Sequence, residues 1–344
     1  MTDQLSTIHQ LLESTDTQYR VFDMGRRVQK ISQDDFRAFE NATVPYPYPL
    51  KKKAWFAILF WDKKRSEQQF LWFLNFELDE QGKLIQAVRN HFIHMVIEVL
   101  GTDLTEGNDD QDKLDNNPYT FKPDQNKLAI LNAQIKSQMK QNASIYYEHA
   151  QNYLRGLLGW QDWQSVGVQG LGDFVTRLDS DDNLASLLKA LPNLPQEVEM
   201  PLLSLLEHIS IPTQLTETLY DKALHALKNN DQPALINCLR AISNSKAIKI
   251  RQKLLTEILA SDLATDQQVL LVITGRCWLD LQDDTLRHQF LESLASASPD
   301  QVLFQGIVAD LVAIPAIRSQ LLQSFRNPER SATLATAIGH LFSQ

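Results

Sequence analysis

"PQEVEMPLLSLLEHISIPTQLTETLYDKALHALKNNDQPALINCLRAI", residues 195–242, runs through one pattern three times. Each segment opens on a helix-start signal, Pro195, Thr213 or Asp231, and continues with apolar residues at helical spacing, as in Leu202, Leu203, Leu206 and Ile209. The same signals recur outward at Asn183, Ser245, Thr265, Asp283, Ser298, Pro315 and Asn327. Ser298-Pro299-Asp300 and Asn327-Pro328-Glu329 each combine a capping side chain, a proline at the first helical position and an acid near the positive helix end. Helices then begin every ~13–19 residues and pair into units of roughly 33–36, the length of α-solenoid repeats. A hairpin with one broad apolar stripe cannot bury it alone, so its neighbours must stack on it. Residues 175–344 are therefore predicted to form an all-α, HEAT-like helical-repeat domain.

Toward the N-terminus the pattern changes. Residues 159–174, GWQDWQSVGVQGLGDF, break the helical rhythm with glycines and tryptophans and read as a hinge. Before them, one long connecting helix is predicted from about Asp124 to Leu158. Residues 102–123 read as an acidic loop, and NDDQD at 108–112 fails as a calcium loop because Lys113 and Tyr119 stand where glycine and glutamate are required. Residues 1–101 read as an α+β domain with an antiparallel sheet of about four strands and packed helices. YRVFDM and RVQKI alternate around a tight turn at Gly25-Arg26. AWFAILFW, residues 54–61, is apolar on both faces, which suits the middle of a covered sheet. FLWFLNFEL places Phe70, Trp72, Leu74, Phe76 and Leu78 on one face, and a helix ending at Gly101 closes the region.

The composition is that of a globular protein, 43% hydrophobic and 22% charged, and a formal charge of −9 opposes attraction to nucleic acid or anionic membrane. Two cysteines, Cys238 and Cys277, give no disulfide framework. The start of the chain lacks the basic, then apolar, order of a signal peptide, and no apolar run reaches membrane-spanning length. A cytoplasmic protein with no cofactor follows; nothing specifies its oligomeric state.

Several groups are weighed as sites. Asp79 and Glu80 are adjacent carboxylates, but neighbours on a strand point to opposite faces, so a chain turn before Gly82 is the simpler role. His91, His94 and Glu98 share one stripe of a helix at i, i+3, i+7, the weak trace of a metal site, on the side turned from the core. Gly167, Gly170 and Gly172 do not form a dinucleotide fingerprint. Lys51, Lys52 and Lys53, with Lys63, Lys64 and Arg65, bracket an aromatic strand in the manner of a single-strand nucleic-acid platform. Charges at strand ends also discourage edge-to-edge association, which an acidic chain favours as their role.

The segment WFLNFELDEQGKL, in a chain of this length with a helical C-terminal half, resembles an uncharacterised bacterial family grouped as a domain of unknown function, whose Leu-Asp-Glu motif falls here on Leu78, Asp79 and Glu80. The resemblance spans nearly the whole chain. It implies a bacterial protein and carries over no activity, cofactor, partner or functional residue. The leading expectation is a non-catalytic scaffold that grips a protein or peptide on a helical-repeat surface. An enzyme with an inter-domain pocket using Asp79, Glu80, His91 or His94 is the alternative, and a nucleic-acid-binding module comes third.

Overall fold

The computed structural model describes residues 6–64, 68–101, 117–298 and 301–342. The chain forms two compact units, Met1–Pro123 with Val312–Arg318, and Asp124–Leu311 with Ser319–Gln344. It is mainly α-helical, with one four-stranded antiparallel sheet near its N-terminus.

The sheet strands are β1 (Thr17–Asp23), β2 (Gln29–Ile31), β3 (Lys53–Asp62) and β4 (Gln69–Glu77), in the order β2-β1-β3-β4. The doubly apolar segment is β3, and it is central, with β1 and β4 on either side. Register pairs Val21 with Ile58 and Phe56 with Leu74. One face packs on helices α1 (Ile8–Ser14), α2 (Gln33–Glu40) and α3 (Gln86–Gly101), so that Phe56, Ile58, Leu74 and Phe76 share a core with Leu11, Phe36, Phe39 and Phe92. Phe22, Ala57 and Leu59, on the other face, are buried as well, which is why β3 needs no polar alternation.

The tight turn at Gly25-Arg26 is not found. Residues 24–28 form a buried loop, ordered by Asp23, whose carboxylate accepts from the Tyr46 hydroxyl at 2.8 Å and the Gly25 and Arg27 N–H groups. Arg26 is fully buried and donates to the Pro49 carbonyl at 2.8 Å. The hairpin itself is present, with Asp23 paired to Gln29, but a five-residue loop ordered by buried charge closes it in place of a tight turn.

The second unit opens at Asp124, which caps α4 (Gln125–Gln138) by accepting from Lys127 N–H. The single long helix is broken: Lys140 takes a left-handed φ of +56°, and α5 (Tyr147–Leu154) begins afresh. The helix closes locally, with Gln141 N–H donating to the Lys136 carbonyl, and the segment after it is held by a tertiary contact. Ser144 N–H donates to the buried Asp173 carboxylate on α6 (Val168–Thr176), at 3.2 Å. The glycine-rich stretch, read as a hinge, is α6 itself, preceded by a short 3-10 turn at Trp160–Ser165. A Cβ at Gly170 would lie 2.6 Å from the Tyr146 carbonyl oxygen, and one at Gly172 3.2 Å from the Ala129 backbone. These glycines allow close helix packing.

The remaining helices are α7 (Asn183–Ala190), α8 (Gln196–Leu206), α9 (Thr213–Lys228), α10 (Gln232–Ile242), α11 (Ile248–Leu259), α12 (Gln267–Arg276), α13 (Asp284–Ala297), α14 (Val302–Val312), α15 (Pro315–Ser324) and α16 (Ala332–Leu341). Helices α5, α7, α9, α11, α13 and α16 pack each on the next in one row, and α6, α8, α10 and α12 do so in another. Alternate helices start at 196, 232, 267 and 302, a period of 35 or 36 residues. Asp231 and Asp283 cap α10 and α13. Asn327-Pro328-Glu329 does not start a helix. Ser331 caps α16 instead, held by hydrogen bonds to Glu292 on α13. No helix among the described residues is long and apolar enough to cross a membrane.

Candidate binding site

Asp79 ends a strand. Its Oδ1 accepts from Gln81 N–H at 2.9 Å and Lys83 N–H at 2.8 Å, and its carbonyl accepts from Gly82 N–H. Gly82 takes φ +77°, which closes the turn, and Leu78 pairs with Leu84 across it. Glu80 is exposed. His91, His94 and Glu98 are exposed on α3, and His91 Nδ1 lies 2.6 Å from the Tyr119 hydroxyl. Among the described residues no three His, Cys, Asp or Glu side chains are placed to hold a metal.

Lys51 and Lys52 form a left-handed turn before β3, and Lys53 Nζ donates to Asn75 at 3.1 Å. Lys63 pairs with Asp16 at 2.7 Å, and Lys64 N–H donates to Asp62. Arg65 and residues 108–112 lie outside the described residues. Nine residues of strand separate Lys53 from Lys63, about 30 Å at ~3.3 Å per residue. The aromatic residues between them are largely buried: Phe56 fully and Trp61 nearly so.

Two hollows remain. The larger, about 800 Å³, borders α1, α2 and the β1 edge and carries His9, Arg20, Arg37, Trp61 and Lys63. Several of its charges are already engaged: Lys63 by Asp16, Arg37 by Asp34 at 3.8 Å, and Arg20 over the Trp61 ring. The smaller, about 300 Å³, lies in the helical unit between the first turn of α4 and the C-terminal ends of α8, α10 and α12. Size favours the first; convergence of charge from separate helices favours the second.

Glu207, at the end of α8, is the centre of the smaller hollow and only 1% exposed. Arg240 grips it with Nε at 2.7 Å and Nη2 at 3.1 Å, while Nη2 also reaches Ser204; Arg276 Nε lies 2.9 Å away. Burial pushes the carboxyl up, but the Arg276 charge and the Arg240 hydrogen bonds outweigh it and hold Glu207 down at about 2. His208 Nε2 lies 3.5 Å from Glu207, and its carbonyl accepts from Gln134 on α4. Similar bonds tie Gln232 to Asp266 at 2.8 Å and Arg251 to Asp280 at 2.8 Å. These pairs join residues 29 to 34 apart, about one two-helix unit.

The sequence reading passed over this cluster. A glutamate at a helix C-terminus opposes the helix dipole, and an arginine follows one repeat later; together those signals mark Glu207 and Arg240. Cys238 is buried, which pushes its thiol up to about 12, so it offers no nucleophile.

A family model described as "Protein of unknown function (DUF3549)" matches residues 3–342. No curated protein and no solved structure matches the chain.

Proposed function

We propose that this chain, which belongs to the DUF3549 family of unknown function, is a non-catalytic binding protein that holds a protein or peptide on its helical half. The observation that carries this reading is the 35–36-residue recurrence of α8, α10, α12 and α14, with successive helices packed in rows. Such stacking has the character of HEAT-like arrays, whose repeats expose a continuous surface made of equivalent positions. The carboxylates and histidines weighed for chemistry support the same view: Asp79 is spent on a turn, and Glu80, His91 and His94 face solvent separately.

The test is affinity capture of the tagged full-length chain from its native host, with reciprocal capture through each recovered protein. One specific partner recovered in both directions supports a scaffold. Recovery of none across several growth conditions contradicts it.

A further inference from the structure

Met200, Ile236 and Leu271 are each the fifth residue of their helices, α8, α10 and α12. Met200 is 42% exposed, Leu271 50%, and Ile236 is half-buried. They therefore form an apolar row across three successive units. One helical turn further on, the same face carries Ser204, Arg240 and Gly275. A Cβ at Gly275 would meet nothing within 4 Å, so the face is open there.

This second row borders the smaller hollow, where Lys127, Arg240 and Arg276 face two carboxylates, Asp124 and Glu207. Asp124 is committed to capping α4, and Glu207 is clamped between the arginines. Arg240 uses Nε and Nη2 on Glu207 and Ser204, and its Nη1 has no hydrogen-bond partner among the described residues. Glu207 thus holds the guanidinium in place with the Nη1 amino group left for a ligand. A cationic spot beside an apolar row, on a chain of net charge −9, selects for an anion attached to apolar groups.

We propose that this face binds an acidic peptide segment, with a carboxylate on Arg240 beside Lys127 and neighbouring apolar side chains on Met200, Ile236 and Leu271. The inference rests on the binding role proposed above and names its partner class. Arginine suits the task because its rigid, always charged guanidinium can hold Glu207 on one edge and still offer Nη1 to a ligand, which the single ammonium of lysine cannot do from a fixed position.

The experiment pans a phage-displayed library of random linear peptides on the full-length chain. Selected peptides are then synthesised with a fluorophore and titrated by anisotropy. Peptides carrying Asp or Glu next to Leu, Ile, Met or Phe are the expected result. Their affinity falls about tenfold or more in R240Q, by less in R240K, and about tenfold in K127E and L271D. K127E changes neither member of the Glu207–Arg240 pair, and L271D alters an exposed position, so both stay informative if R240Q folds poorly; circular dichroism verifies each variant. Glutarate is titrated separately. Binding of glutarate alone with the same dependence on Arg240 would mark a small-molecule site and overturn the peptide assignment. Failure to enrich any peptide overturns it as well. Peptides without acidic residues, indifferent to R240Q and K127E, would remove the carboxylate and leave the binding role standing.

Discussion

At Asp79 one carboxylate oxygen satisfies two backbone N–H groups, so alanine removes both hydrogen bonds at once. D79A is expected to cost about 1–2 kcal/mol, as loss of a helix cap does, whereas E80A changes stability by less than about 0.5 kcal/mol. Chemical denaturation of the two variants separates them. Glu40 and Glu207 extend the residue scale to pH. Burial pushes Glu40 up to about 7, against the Ile8 and His9 N–H groups and the Arg89 charge. Its folded-state pKa lies above the ordinary 4.5, so its contribution is full below about pH 4.5 and is lost as pH rises through 7. Glu207 is the reverse: its folded pKa of about 2 gives a contribution present above 4.5 and lost as pH falls toward 2. Hydrogen-exchange protection factors read the two units separately. From pH 4.5 to 7 the amides of β1 and β3 lose protection in the wild type, and E40Q flattens that slope. The amides of α8 and α10 lose theirs only below about pH 4.5. E207Q leaves two arginines without their counter-ion and is expected to cost about 3 kcal/mol. Unchanged slopes in E40Q would contradict the role given to Glu40.

At the scale of elements, packing decides what local pattern leaves open. The caps at Asp124, Asp231 and Asp283 were legible because a short acceptor before an apolar stripe has one local use. The central place of β3 was legible from its two apolar faces. The break between α4 and α5 was not, because it turns on a left-handed Lys140, where no glycine signals the end, and the Ser144–Asp173 bond that holds the next segment joins residues 29 apart. The glycines of α6 misled for a related reason: local pattern reads glycine as flexibility, while Gly170 and Gly172 are there for close approach to neighbouring helices. G170A is expected to destabilise the helical unit by about 1–3 kcal/mol, because its methyl would overlap the Tyr146 carbonyl. G306A, in α14 with nothing within 4 Å, should gain about 0.5–1 kcal/mol from helix propensity alone. Thermal melts of the two alanine variants test the pair. Equal effects would mean that close packing is not what holds Gly170.

Across the whole molecule, the period was readable while the charges laid over it were not. Start signals alone gave a two-helix unit of the observed length, since each helix carries its own cap and stripe. The Glu207, Arg240 and Arg276 cluster stayed hidden because its members lie on three helices and each residue looks ordinary alone. The account stands on a partner occupying the face of α8, α10 and α12. A photo-crosslinking amino acid placed at Leu271, with a matched probe at the exposed Glu257 of α11, tests this in the native host. The account predicts one discrete crosslinked band from position 271 and none from 257. No band from 271, or the same band from both positions, would contradict it.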